Sequence, residues 1–166
     1  MDEIMKRGNT RKFTDEPVSE EDVDRLIRAG MQARTTGNQT PWHIIIVRSD
    51  PSIKVLSHSS MAAGTIRKAP LVLMLLFDKT GLSYPECVET DMGACAQNIL
   101  TEAEHLGLGT QWVAVHPYED RIRHVRSFFD LPIDVVPFAL IPVGHPADRP
   151  IRLDHYDAKR IHKETF

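Results

Sequence analysis

Seven consecutive apolar residues, Leu71-Val-Leu-Met-Leu-Leu-Phe77, constrain this chain more than any other feature. A run without alternation needs cover on both faces, so it reads as a strand at the centre of a layered fold. It is far too short to span a bilayer, which takes about 20 apolar residues in a helix. Segments that could cover it lie on either side. Ser19-Glu-Glu-Asp22 is a capping-box-like helix start with acids in its first turn. Val23, Leu26, Ile27, Gly30 and Met31 follow at helical spacing, and the turn chemistry of Thr35-Thr36-Gly37-Asn38 ends that helix near Ala33. The longest helix is predicted from about Glu86 to Leu106, where Val88, Met92, Cys95, Ile99, Ala103 and Leu106 recur every three or four residues. Gly93, Ala94 and Ala96 make it smooth on a second side, as expected of a central helix. Gly107-Leu-Gly109 stops it.

The remaining elements follow from the same reasoning. Residues 2–7 predict one or two helical turns, and Trp42 to Val47 a buried, isoleucine-rich strand. Pro51 suits the first turn of a short helix. Gln111 to Val115 reads as a third strand, Glu119 to Phe129 as a helix and Val135 to Val143 as a fourth strand. The segment from Ala147 to Phe166 carries five cations and little apolar content, so it should wrap something rather than build its own core. Alternating helices and strands suggest a doubly wound dinucleotide fold. That fold is rejected because its phosphate loop needs strand, glycines, then helix, whereas Gly107-Leu-Gly109 lies between a helix and a strand.

The length of 166 residues suits one domain, 1–166, able to bury roughly 70% of its unfolded surface without disulfides or metals. A net charge of −3 argues against a general nucleic-acid partner. Cys87 and Cys95, if helical, stand about 12 Å apart along the axis, too far for a disulfide, and free thiols suit a cytoplasmic location. The opening Met-Asp-Glu-Ile-Met-Lys-Arg has no apolar core, so no signal peptide is expected. The eight histidines show no H-E-x-x-H or carboxylate-rich spacing, so no metal site is expected.

Three segments can carry chemistry. Lys6-Arg7-Gly8-Asn9-Thr10-Arg11-Lys12-Phe13 places four cations around a glycine, able to hold a phosphate through charge-assisted bonds, or to be a solvated loop. Gly37-Asn38-Gln39-Thr40-Pro41-Trp42-His43 puts amides at a strand's edge, or merely joins a helix to a strand. Gly107-Leu-Gly109-Thr-Gln-Trp112-Val-Ala114-Val115-His116-Pro117 feeds a strand end whose backbone N–H groups can face a flat ligand, or simply caps that strand.

Together these segments resemble the nitroreductase family. Arg7-Gly8-Asn9-Thr10-Arg11-Lys12-Phe13 resembles its opening R-x-S-x-R-x-F, and Gly37 to His43 its G-N-x-Q-P-W-H segment. Asp91 to Leu100 with Gly107 to Trp112 resembles its central helix and following turn, Leu140 to Ala147 its closing I-G-Y-P-A strand, and Tyr156-Asp157 with Arg160-Ile161-His162 a tail of short members. The resemblance implies an α+β fold with a central, mostly antiparallel sheet flanked by helices, and a homodimer that completes the sheet by exchanging tails. It also implies FMN at the dimer interface, and a ping-pong transfer of two electrons from NADH or NADPH to a small flat acceptor such as a nitroaromatic or quinone.

Carried over by position, Arg7 and Asn9, flanking Gly8, resemble phosphate and ribityl contacts. Arg11 resembles the cation near the flavin's pyrimidine edge, and Asn38 an amide reading that edge. Ala114 and Val115 resemble the backbone beside N5. No catalytic side chain is obligatory, because the flavin carries the chemistry and Arg11 tunes it. The chain departs from the family at Asn9, where Ser is usual, and at Thr40, where Gln is usual. It departs again at His155, where short members carry an arginine for the phosphate; Arg149 or Arg152 would substitute. Thr40 and His155 keep open a non-catalytic flavin-binding, storage or sensing protein, and a dehalogenase or flavin-cleaving enzyme is a further alternative.

Overall fold

The computed structural model describes residues 2–6, 8–148 and 154–166. The elements in chain order are α1 (Asp2–Lys6), α2 (Glu20–Met31), β1 (Trp42–Val47), α3 (Asp50–Leu56), β2 (Leu71–Asp78), α4 (Val88–His105), β3 (Gly109–Thr110), β4 (Val113–Ala114), α5 (Glu119–Phe129) and β5 (Val135–Gly144). All strand pairs are antiparallel, in the order β1-β2-β5-β3 with β4 also on β5. This is an α+β architecture, and an antiparallel sheet agrees with the rejection of a doubly wound fold.

The apolar run lies at the centre, as its composition demands. Every residue from Leu71 to Phe77 is at most 3% exposed, between β1 on one side and β5 on the other. Helix α4 packs on β2 and β5 with Met92, Cys95, Ile99 and Ala103 fully buried, α2 packs on α4 where Gly30 lies against Cys95 and Ile99, and α5 packs on β5. Local chemistry sets the ends of these helices. Ser19 Oγ accepts from the Asp22 N–H at 3.0 Å and caps α2. The end of α4 is a Schellman motif: the Leu108 N–H donates to the Ala103 carbonyl at 2.8 Å and the Gly107 N–H to Glu104 at 3.1 Å.

Three expectations need correction. The strand read over Gln111 to Val115 shrinks to β4, Val113–Ala114, and is preceded by β3, Gly109–Thr110, in one continuous register on β5. That register sets Gln111 opposite Pro142 as a hydrogen-bonding pair, and Pro142 has no N–H to donate, so the ladder breaks there. Strand β1 is an edge strand rather than a buried one, and its Ile46 is 44% exposed. Helix α4 begins at Val88, after a 3₁₀ turn at Pro85–Cys87, and a 3₁₀ segment at Met61–Lys68 was not anticipated. Strand β5 holds two prolines; Pro137 is accommodated at a register shift opposite Leu75 and Leu76. No helix among the described residues is long and apolar enough to cross a membrane.

Candidate functional site

The first motif lies along the end of the sheet. Asn9 bridges to Thr110 in parallel, the Thr10 N–H donates to the Thr110 carbonyl at 2.8 Å, and Phe13 bridges to Pro146. Side chains alternate accordingly: Thr10 and Phe13 are buried, while Asn9 and Arg11 are exposed. The contact requires Gly109, because a Cβ there would stand 2.4 Å from Thr10 Oγ1. Lys12 is committed to Asp148 at 3.1 Å. Arg11 and Asn9 form no side-chain hydrogen bond or ion pair with other described residues. The phosphate candidates Arg7, Arg149 and Arg152 lie outside the described residues.

The second motif is a strained turn held by a buried acid. Gly37 (φ 56°), Asn38 (φ 58°) and Thr40 (φ 43°) are all left-handed, and a β-branched residue is rare there. Asp91, 3% exposed on α4, accepts from the Thr36 N–H at 2.9 Å, the Thr36 hydroxyl at 3.3 Å and Gln39 Nε2 at 2.6 Å. The Gln39 amide also donates to the Tyr84 carbonyl at 3.1 Å and accepts from the Tyr84 N–H at 3.0 Å. The Tyr84 ring lies against Gly37, where a Cβ would meet it at 2.3 Å. This network presents Asn38 and Thr40 to solvent with their side chains uncommitted among the described residues.

The third motif ends at β4. The Val115 and His116 N–H groups both donate to the Phe138 carbonyl at 3.0 Å. Alternation of an antiparallel ladder then turns the Ala114 N–H and carbonyl away from β5, off the outer edge of β4. The Ala114 carbonyl is taken by Arg121 Nη1 at 2.7 Å. The His116 ring packs between Phe77 and Phe138, and its Nε2 lies 2.8 Å from a Glu89 carboxylate oxygen.

The structure therefore joins the three motifs. Gly8 to Arg11 meet the third motif at Thr110, four residues before Ala114. Glu89 and Asp91, both in the first turn of α4, tie down His116 and the 36–39 turn respectively. Gln39, Tyr84, Asp91 and Arg121 were not singled out from sequence as site residues. Asp91 alone left a signal there, an acid interrupting an apolar helical stripe between Val88 and Cys95. Among the described residues, the groups that the joined motifs leave without a partner are the Asn9 and Asn38 amides, the Thr40 hydroxyl, the Arg11 guanidinium and one edge N–H, each of which can donate. Such a set fits a flat ligand with carbonyl edges and negative charge. Among the described residues no cluster of three or more His, Cys, Asp or Glu could hold a metal ion.

Fold and site thus define an α+β protein with a helix-covered antiparallel sheet, bordered by polar side chains that have no partner among the described residues. The chain belongs to the nitroreductase family, whose description "Nitroreductase family" matches residues 4–61 and 54–145. It is 34% identical over its whole length, and 87% of the relative's, to a Methanothermobacter thermautotrophicus protein named "Putative NADH dehydrogenase/NAD(P)H nitroreductase". It is 26% identical to the Bacillus subtilis "FMN reductase [NAD(P)H]", over 100% of this chain and 75% of that one. Among solved structures, a Clostridium acetobutylicum protein described as "Putative NADH Oxidase" superposes with a TM-score of 0.96 at 38% identity, covering 99% of each chain.

Proposed function

We propose that this chain is an FMN-dependent NAD(P)H oxidoreductase, a single FMN-binding domain over residues 1–166, that passes two electrons to a small flat acceptor such as a nitroaromatic or quinone. FMN, when bound, would supply the two-electron redox chemistry that couples NAD(P)H to the acceptor, in a ping-pong cycle. The protein binds, orients and tunes. Asn9, beside Gly8, and Arg7 hold the phosphate and ribityl chain, helped by Arg149 or Arg152. Asn38 reads the pyrimidine edge, with Thr40 beside it. Arg11 contributes positive charge where negative charge develops on reduction, an electrostatic role that needs no catalytic acid. The backbone of Ala114 and Val115 would border the ring, and the outward Ala114 N–H would be the donor offered to N5.

The observation that carries this reading is that the first and third motifs meet at Thr110 while one turn of α4 ties down the second motif and the end of the third, with the Asn9, Arg11, Asn38 and Thr40 side chains uncommitted among the described residues. The names of the relatives support the nicotinamide and flavin chemistry. A tail-exchanged homodimer is supported by the described tail, in which every residue from 154 to 166 is exposed, including Tyr156 at 73% and Ile161 at 58%. Such apolar groups gain stability only against another surface. The two free cysteines fit a cytoplasmic location. The deciding experiment is the visible spectrum of the purified protein, followed by steady-state NAD(P)H oxidation with menadione. Flavin bands and parallel double-reciprocal lines are expected; a colourless protein that takes up no FMN overturns the reading.

A further inference from the structure

The outer edge of β4 carries a cation that no sequence motif explains. Arg121 stands in the first turn of α5, its guanidinium 3.9 Å from the centroid of the Tyr118 ring. Its Nη1 donates to the Ala114 carbonyl at 2.7 Å. Glu119 and Asp120 adjoin it in sequence, yet Arg121 makes no ion pair among the described residues. A half-buried guanidinium left without a counter-charge is an expensive way to close one carbonyl. Its placement is specific, however. In the β4–β5 ladder, the Ala114 N–H and carbonyl both point off the outer edge. Arg121 takes the acceptor and leaves the donor.

We propose that Arg121 is a positioning residue for the reactive edge of the cofactor: by holding the Ala114 carbonyl it fixes the backbone beside flavin N5 and keeps the Ala114 N–H free to face that atom. The inference rests on the FMN reading above. Three features support it. The bond joins α5 to a two-residue strand that has little else to set its outer edge. The planar fork of a guanidinium can bond a carbonyl while lying flat on an aromatic ring, which pre-orders it. With the carbonyl occupied, the edge offers an acceptor atom such as N5 of oxidised flavin one donor and no competing oxygen.

The test compares holoenzyme carrying wild-type chain, Arg121→Met, Arg121→Lys and Tyr118→Ala, each reconstituted with isotope-labelled FMN. The N5 nitrogen resonance in NMR reports its hydrogen bond, and stopped-flow mixing with NADH reports the limiting rate of flavin reduction. Arg121→Met should shift the N5 resonance toward that of flavin lacking a bond at N5. Its limiting rate should fall roughly ten- to a hundredfold, the scale of a small misplacement at a reacting centre, with a smaller change in NADH affinity. Arg121→Lys should restore most of both. Tyr118 is 48% exposed, so its replacement leaves the core intact and should shift N5 the same way by less; this variant decides the matter if Arg121→Met does not fold. An N5 resonance and limiting rate equal to wild type would overturn the assignment of Arg121. A wild-type chain that binds no FMN would overturn the underlying reading instead.

Discussion

Asp91→Asn isolates the contribution of one buried carboxylate, because it changes charge and donor pattern without changing shape. The carboxylate accepts two bonds from Thr36 and a 2.6 Å bond from Gln39 Nε2. An asparagine can keep its oxygen toward Thr36, but its amide nitrogen then faces the Gln39 nitrogen, donor against donor. Gln39 cannot turn its amide round without losing both bonds to Tyr84. The variant therefore loses one charge-assisted bond and weakens the others to neutral ones. At about 1.5–3 kcal/mol for a hydrogen bond to a charged group, and with the burial cost of the charge removed, a loss of about 2–3 kcal/mol is expected. For a chain of 166 residues, at about 2–4 °C per kcal/mol, the melting temperature should drop by about 5–10 °C. The turn it holds carries Asn38, so part of the ordering must be recovered on FMN binding. Affinity should fall about tenfold, the equivalent of ~1.4 kcal/mol. Circular dichroism melts of apo- and holoprotein, with FMN titration into the apoprotein, measure both. A variant that melts and binds FMN as wild type does would refute the account of the turn.

Other consequences follow from the same geometry. Arg11→Ala should make bound FMN harder to reduce by some tens of millivolts, ~30 mV corresponding to ~1.4 kcal/mol for two electrons, and Arg11→Lys should keep most of the effect; anaerobic titration against a reference dye that finds equal potentials would refute it. Gly109→Ala places a Cβ 2.4 Å from Thr10 Oγ1 and should cost about 1–3 kcal/mol in urea unfolding, with an unchanged midpoint as the contrary result. Burial pushes the Cys95 thiol up from 9.0 to about 12, so Cys95 should resist a thiol reagent in native protein at mild alkaline pH and react once the protein is unfolded. The unfolded state ionises Cys95 first, so stability is fully present below pH 9.0 and falls as pH rises toward about 12; Cys95→Ala should flatten that decline in pH-dependent melts, and an identical decline would count against it.

Much of the scaffold was legible because its causes are local. The bounds of β1 and α5 match the structure, and those of β2 and β5 differ by one residue. The Ser19 cap, the helical stripe of α4 and the Gly107 stop each depend on residues within a turn or two of one another. The central place of β2 was legible too, since a strand apolar on every position has nowhere else to go. The motifs could be read as an ordered set along the chain. Nothing in their spacing, however, said that Thr10 would seat on Gly109, or that one turn of α4 would tie down both His116 and Gln39.

Those facts depend on partners far away in sequence. Trp42 to Val47 is equally apolar at an edge or in a centre, and only the strand order made it an edge. Pro142 and Gln111 are 31 residues apart, so the break between β3 and β4 became visible only when the register set one opposite the other. Asp91 reads from sequence as a misplaced charge on an apolar stripe, and only the fold brings Thr36 and Gln39 to it. Arg121 reads as one more surface cation on α5 until the β4 ladder turns the Ala114 carbonyl outward. The sequence by itself determined which segments become helices and strands and which residues could bind, because propensity, capping and apolar period act over a few residues. The tertiary structure alone decided which of those residues meet and which donors stay unspent, because hydrogen-bond partners are chosen by register and packing across the whole chain.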